Sequence, residues 1–254
     1  MPQSSELDTL ALDPAGSVAT LSIGSGQRFN ALGLHEWREL HRAAVSVAGL
    51  DSLRAVVIRG RGGVFCSGSD LREWDGASAD SVTDSFAEME AALQAIEDLP
   101  VPTVAVVEGV ATGAGCQLAL ACDLQLMNRS ARIGMPIARL GILAGASFAN
   151  RLSLRIGPSR TKDLLYGGRL LTAEQASEMG LITTVVDDAD TALDALLAGW
   201  DGLSAASLRA SKAAVDLGLR PVTEPARQAP AGPASDPQEF AWRVNSFLQR
   251  KISR

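Results

Sequence analysis

The chain alternates between two hydrophobic periods, and the alternation itself carries information. "SVATLSIG" (17–24) switches apolar and small polar positions every residue and is rich in β-branched side chains, so it predicts a strand. "ALGLHEWRELHRAAVSVAG" (31–49) places apolar residues at helical spacing and ends in glycine, so it predicts a helix. "LRAVVIRG" (53–60) and "VPTVAVVEG" (101–109) are short continuous apolar runs closed by glycine, as buried strands are. Between them, 76–99 has the pattern of an amphipathic helix. Residues 123–135 predict two short strands around a turn, and 157–168 and 171–180 short helices with glycine stops. Strand, turn, strand, helix therefore recurs twice before residue 122, which predicts an α/β fold of stacked ββα units.

Beyond residue 190 the pattern becomes helical and more polar. The proline-rich stretch 219–236 predicts a loop, since proline removes a helical donor and clashes with the preceding turn. "DPQEFAWRVNSFLQRKISR" closes the chain as a helix with a basic tip. The expected organisation is a core over 1–190 and a helical C-terminal region over 191–254.

With 254 residues and 46% hydrophobic content the chain can bury a well-developed core. It lacks an apolar run long enough to span a bilayer, and the polar, acidic "MPQSSELDTL" does not have the pattern of a signal peptide. Cys66, Cys116 and Cys122 lie in apolar or glycine-rich surroundings without a metal-type CxxC pair, so a cytoplasmic protein with reduced core thiols is expected. A net charge of −6 opposes general nucleic-acid binding. His35 and His41, six apart, miss the spacing of a shared helical metal site, and no metal is expected. "GSG" at 24–26 lacks the third glycine of a dinucleotide fingerprint, and neither GxSxG nor a P-loop is present.

Two glycine-bearing segments say more together than apart. "GVFCSGSDLREW" (63–74) leaves a strand region, turns at Gly68 and is expected to enter a helix. "VEGVATGAGCQLALACDL" (107–124) does the same at Gly113. Each turn offers a main-chain N–H, at Ser69 and at Ala114. Two such donors from separate loops can converge on one oxygen and stabilise negative charge on it. Two ordinary strand-to-helix turns would give the same spacing.

The quoted segments resemble the crotonase superfamily, the enoyl-CoA hydratase and isomerase fold. "RFNAL" (28–32) is similar to its early Asn-Ala-Leu motif, and "FCSGSDL" (65–71) to its first oxyanion loop. "VEGVATGAGCQLALACDL" resembles its second oxyanion loop and central helix, and "LTAEQASEMGLITTVVD" (171–187) the stretch after its core. The resemblance spans roughly residues 17–188 and implies a spiral of ββα turns, assembled as a homotrimer or a dimer of trimers. It implies an acyl-CoA thioester as substrate or ligand, with no tightly bound cofactor. Ser69 and Ala114 would donate their N–H groups to the thioester oxygen. Arg28 and Phe29 would lie beside the nucleotide or pantetheine, with Ser67, Asp70 and Leu71 around the adenine. Lys251, with Arg250, could reach a CoA phosphate.

The sequence departs from the family where hydratases carry two glutamates. Those positions hold Gln117 and Ile137, and a third acid position of some relatives holds Gly145. An amide can orient water but has no useful basicity near neutral pH, and isoleucine can do neither. Glu73, Asp75, Arg139, Ser147 and Asn150 are the polar residues that could substitute. Two readings stay open: an enzyme that stabilises an enolate but hydrates poorly, and a non-catalytic acyl-CoA-binding protein.

Overall fold

The alternation in the first strand reappears as alternating burial in the structure, a computed structural model that describes residues 10–12, 16–229 and 234–252. In chain order the first ββα units contain β1 (Leu10–Leu12), β2 (Val18–Ile23), α1 (Leu34–Ala48), β3 (Ala55–Gly60) and α2 (Ala79–Glu97). The central part contains β4 (Thr103–Val107), β5 (Val110–Thr112), α3 (Ala114–Ala121), β6 (Leu124–Asn128) and β7 (Arg132–Gly134). There follow α4 (Ala146–Gly167), β8 (Leu170–Thr172), α5 (Ala173–Glu178) and β9 (Thr184–Val186). The C-terminal helices are α6 (Ala189–Asp201), α7 (Ala205–Gln228) and α8 (Pro237–Ile252).

Six strands form one sheet in the order β1-β2-β3-β4-β6-β9, parallel except where β1 meets β2. β4 is buried at every position, as expected of a parallel strand covered on both faces. A second sheet, β5-β7-β8, forms a separate layer. A single bridge joins Cys66 to Ala111 of that layer, and another joins Leu32 to Ser69, three residues further along the same turn. The chain thus passes repeatedly from main sheet to second layer to helix, which is the ββα stacking read from the pattern. All eight residues of α3 are buried, so this short, apolar helix lies at the centre of the stack.

Two expectations are corrected and a third is extended. No helix follows Gly68: residues 70–77 form successive turns, with Glu73, Trp74 and Ala77 donating to Asp70, Leu71 and Trp74 carbonyls, and α2 starts only at Ala79. The helix expected over 157–168 is present as the second part of α4: Gly157, at φ 74° and ψ 164°, is not helical and separates it from a preceding helical stretch that begins at Ala146. The loop expected over 219–236 is helix as far as Gln228, through Pro221 and Pro225. Neighbouring side chains hold that stretch: Ser147 Oγ donates to Ala226 O, Asn150 Nδ2 to Val222 O, and Arg227 pairs with Glu97 and Asp98. Tertiary anchors outweigh propensity there. Residues 230–233 of that stretch, and the N-terminal nine residues, lie outside the described residues. Among the described residues no helix is long and apolar enough to cross a membrane.

Candidate functional site

Main-chain packing brings the two glycine turns together. Cys66 N–H donates to Val110 O at 2.9 Å and Thr112 N–H to Cys66 O at 3.0 Å, so residue 66 is stitched into the edge of β5. Thr112 Oγ1 adds a bond to Ser67 O at 2.9 Å. Glycine is needed at this seam. A Cβ on Gly115 would fall 2.1 Å from Cys66 O, and one on Gly68 would fall 2.8 Å from Thr112 O and 3.3 Å from Ala114 N. Gly68 and Gly113 also adopt φ of 97° and 57°, which disfavour a side chain. Cys66 Sγ accepts the Gly68 N–H at 3.3 Å. Among the described residues, neither the Ser69 N–H nor the Ala114 N–H has an acceptor, and Ala114 opens α3, where such donors are left over. Burial pushes the Cys66 and Cys116 thiols up to about 12 and the Cys122 thiol higher still, so none of the three is a ready nucleophile.

Both turns open onto one cavity of about 1680 Å³. Of the residues read from the sequence, Arg28, Phe29, Ser67, Ser69, Asp70, Leu71, Ala114 and Ile137 line it. Arg28, Phe29 and Asn30 all have positive φ, an uncommon run for non-glycine residues. Asn30 holds them there. Its Oδ1 accepts the Gly26 N–H at 2.8 Å, and its Nδ2 donates to Val64 O at 2.6 Å and Arg61 O at 2.8 Å. Backbone strain of this kind survives only where surroundings over-determine it. Arg28 pairs with Asp70 at 2.5 Å, joining this loop to the first glycine turn.

Position 117 differs from the expectation. Gln117 is fully buried and does not line the cavity, so it cannot orient a water there. Its Oε1 accepts from Arg151 Nη1 at 3.0 Å and its Nε2 donates to Phe148 O at 3.3 Å. Arg151 in turn pairs with Glu90 at 2.6 Å and Glu97 at 2.5 Å. Burial works against charge on both Glu97 and Arg151. It is outweighed: Arg151 and Arg227 hold the Glu97 carboxyl below its ordinary value, and Glu97 and Glu90 hold Arg151 protonated. Ile137, by contrast, sits in the cavity wall with Met89 and Phe148 beside it in the lining, an apolar surface.

The substitute residues divide. Asp75 and Arg139 line the cavity; Ser147 and Asn150 are turned to α7, Gly145 precedes α4, and Glu73 accepts the Leu34 N–H at 2.8 Å. His35 and His41 lie on α1, away from the cavity, and among the described residues no group of His, Cys, Asp and Glu could hold a metal. The C-terminal helix closes one side. Phe240 and Val244 of α8 are buried against Trp74, which stacks on Phe86 with ring centres 5.1 Å apart. Arg250 lines the cavity, whereas the Lys251 side chain lies outside the described residues. Trp242, on the same helix, is 64% exposed within the chain. Sequence reading missed Arg151, the bracing role of Asn30 within its motif, and the aromatic wall of Trp74, Phe86 and Phe148. Helical spacing hints at Glu90 and Glu97 sharing a face of α2, but their arginine is over fifty residues away.

The Enoyl-CoA hydratase/isomerase family model matches residues 14–237. The Bacillus subtilis protein YngF, which carries an enoyl-CoA hydratase/isomerase name, is 32% identical over 80% of this chain and 79% of its own length. Human mitochondrial methylglutaconyl-CoA hydratase is 33% identical over 67% of this chain, a match that spans half of the human protein. The crystal structure of an enoyl-CoA hydratase/carnithine racemase from Magnetospirillum magneticum superposes with a TM-score of 0.80 at 28% identity, covering 85% of this chain and 82% of that one.

Proposed function

Since the chain belongs to the enoyl-CoA hydratase/isomerase family, we propose that it binds an acyl-CoA thioester with the carbonyl oxygen between the N–H groups of Ser69 and Ala114. The observation that carries this reading is the pair of unpartnered donors on two turns stitched together at one cavity. A neutral thioester oxygen gains two hydrogen bonds there; an enolate oxygen, bearing a full charge, gains far more. The donors therefore favour reactions that pass through an enolate. The Arg28–Asp70 pair, Phe29, Ser67 and Leu71 flank the coenzyme A arm, and Arg72 and Arg250, which have no ion-pair partner among the described residues, lie in the same lining for its phosphates.

Hydration of a simple 2-enoyl-CoA is expected to be slow. Water addition needs a base to activate water and an acid for the α-carbon. Ile137 offers neither, and Gln117 is occupied by Arg151 and Phe148. That same observation favours a second reading, acyl-CoA binding without turnover. Calorimetric titration with short and medium acyl-CoAs, followed by assay on crotonyl-CoA, separates the cases. Binding with weak or no hydration is expected. No binding across the series sinks the proposal, and turnover near the ~10 s⁻¹ median for enzymes would show that another group transfers the proton.

The assembly is proposed to be a homotrimer or a dimer of trimers. Within the chain, α7 has no buried residue and leaves Val215, Leu217 and Val222 more than half exposed, as an association surface would. A monomer by light scattering at micromolar concentration would refute it.

A further inference from the structure

Gln117 occupies a position from which it serves the thioester site indirectly. Its own N–H closes the first turn of α3 on Gly113 O at 3.1 Å, so its side chain belongs to the turn that presents Ala114 N–H. That side chain makes two bonds of opposite sense to α4: it accepts from Arg151 at 3.0 Å and donates to Phe148 O at 3.3 Å. Arg151 spreads across both carboxylates of α2, Glu90 and Glu97, and Glu97 also receives Arg227 of α7 at 2.9 Å. The turn is thereby fastened to three helices through one amide.

We infer that Gln117 is a positioning residue, which fixes the first turn of α3, and with it the direction of the Ala114 N–H, through the buried Arg151 network, and that this network requires a neutral amide at 117. The inference rests on the thioester reading above. Neutrality is required for two reasons. Glu90, Glu97 and Asp98 already face the two cations Arg151 and Arg227, so a further carboxylate would be buried negative charge without a matching partner. A carboxylate also has no hydrogen to give Phe148 O, and two acceptors would then meet at 3.3 Å. An acid restored at 117 would be buried outside the cavity lining, where it could not serve as a base for the substrate.

The test uses a cinnamoyl-CoA bearing a 4-dimethylamino group, whose absorption moves to the red as hydrogen bonds pull charge onto the thioester oxygen. Wild type is expected to bind it with a red shift. Gln117→Met, of similar volume, should keep affinity within about threefold, because the coenzyme arm is held elsewhere, while the red shift falls by at least half. Gln117→Glu, the isosteric variant, puts a charge where the network needs an amide, so its red shift should also fall by at least half and its crotonyl-CoA hydration should not rise. A full red shift in Gln117→Met overturns the assignment. So does a hydration gain in Gln117→Glu of about 10²-fold, the worth of one acid–base group. Wild type that fails to bind the probe overturns the thioester reading itself, a distinct outcome from either.

Discussion

Around the cavity, residues 66–69 and 112–115 present main-chain groups, whereas the structure behind them, from Gln117 to Arg151, is held by side-chain charge. The first region is positioned by backbone contact: Gly115 against Cys66 O, Thr112 N–H on Cys66 O, Gly68 beside Thr112 O. The second is positioned by Arg151 between Glu90 and Glu97, with Arg227 and Asp98 outside. Close backbone packing tolerates no added atom yet is indifferent to pH. A buried charge network tolerates changes of shape at its rim yet depends on every carboxylate staying ionised. The two regions meet in the first turn of α3, so each can be disturbed while the other is watched.

The largest effect should come from the backbone seam. Gly115→Ala adds one methyl group that would sit 2.1 Å from Cys66 O, against main chain that has no rotamer to yield. Gly113→Ala, two residues earlier, meets nothing within 4 Å and suffers only the strain of φ 57°. We expect Gly115→Ala to lose more than about 4 kcal/mol, above the usual ~1–3 kcal/mol of core overpacking because the clash is with main chain, and Gly113→Ala to lose about 1–3 kcal/mol. At roughly 2–4 °C per kcal/mol for a chain of this size, thermal melts resolve the two. Equal melting temperatures would show that the seam relaxes and that backbone contact does not set the turns.

The same division decides what the sequence made legible. Strand and helix periods gave the ββα order, and the glycine turns gave the donor pair, because both depend on local chemistry: β-branching, small residues, positive φ. The fate of position 117 was not legible. Whether Gln117 looks into the cavity or away from it depends on Arg151, thirty-four positions later, and on carboxylates of α2 before it. The helix through Pro221 and Pro225 was hidden for the same reason, since its anchors, Ser147, Asn150, Glu97 and Asp98, are remote in the chain. The turns after Gly68 were misread because "SDLREW" has helical residues, while Asp70 Oδ1 accepts the Arg72 N–H and keeps the segment in turns.

A smaller effect, and the sharper contrast, concerns acid. Glu97 is held below the ordinary glutamate value: burial opposes this, but Arg151 and Arg227 outweigh it. A carboxyl with a depressed folded-state pKa stabilises the protein above its unfolded value and loses that contribution as pH falls through the folded one. Arg151 is shifted the other way, upward, so its contribution is complete throughout the acid and neutral range and adds no slope there. Stability should therefore fall as pH drops below the ordinary glutamate value of 4.5, with Glu97 supplying part of the slope. In Arg151→Met that slope should flatten, because Glu97 loses its nearer cation, and stability at neutral pH should drop by about 3 kcal/mol, as for a buried pair broken on one side. Gly113→Ala, whose defect is conformational, should keep the wild-type slope at a lower overall stability. Denaturant melts from pH 7 down to about pH 3 read both quantities. Parallel profiles for wild type and Arg151→Met would mean that the network is not what titrates, and the distinction between a pH-blind seam and an acid-sensitive brace behind it would fall.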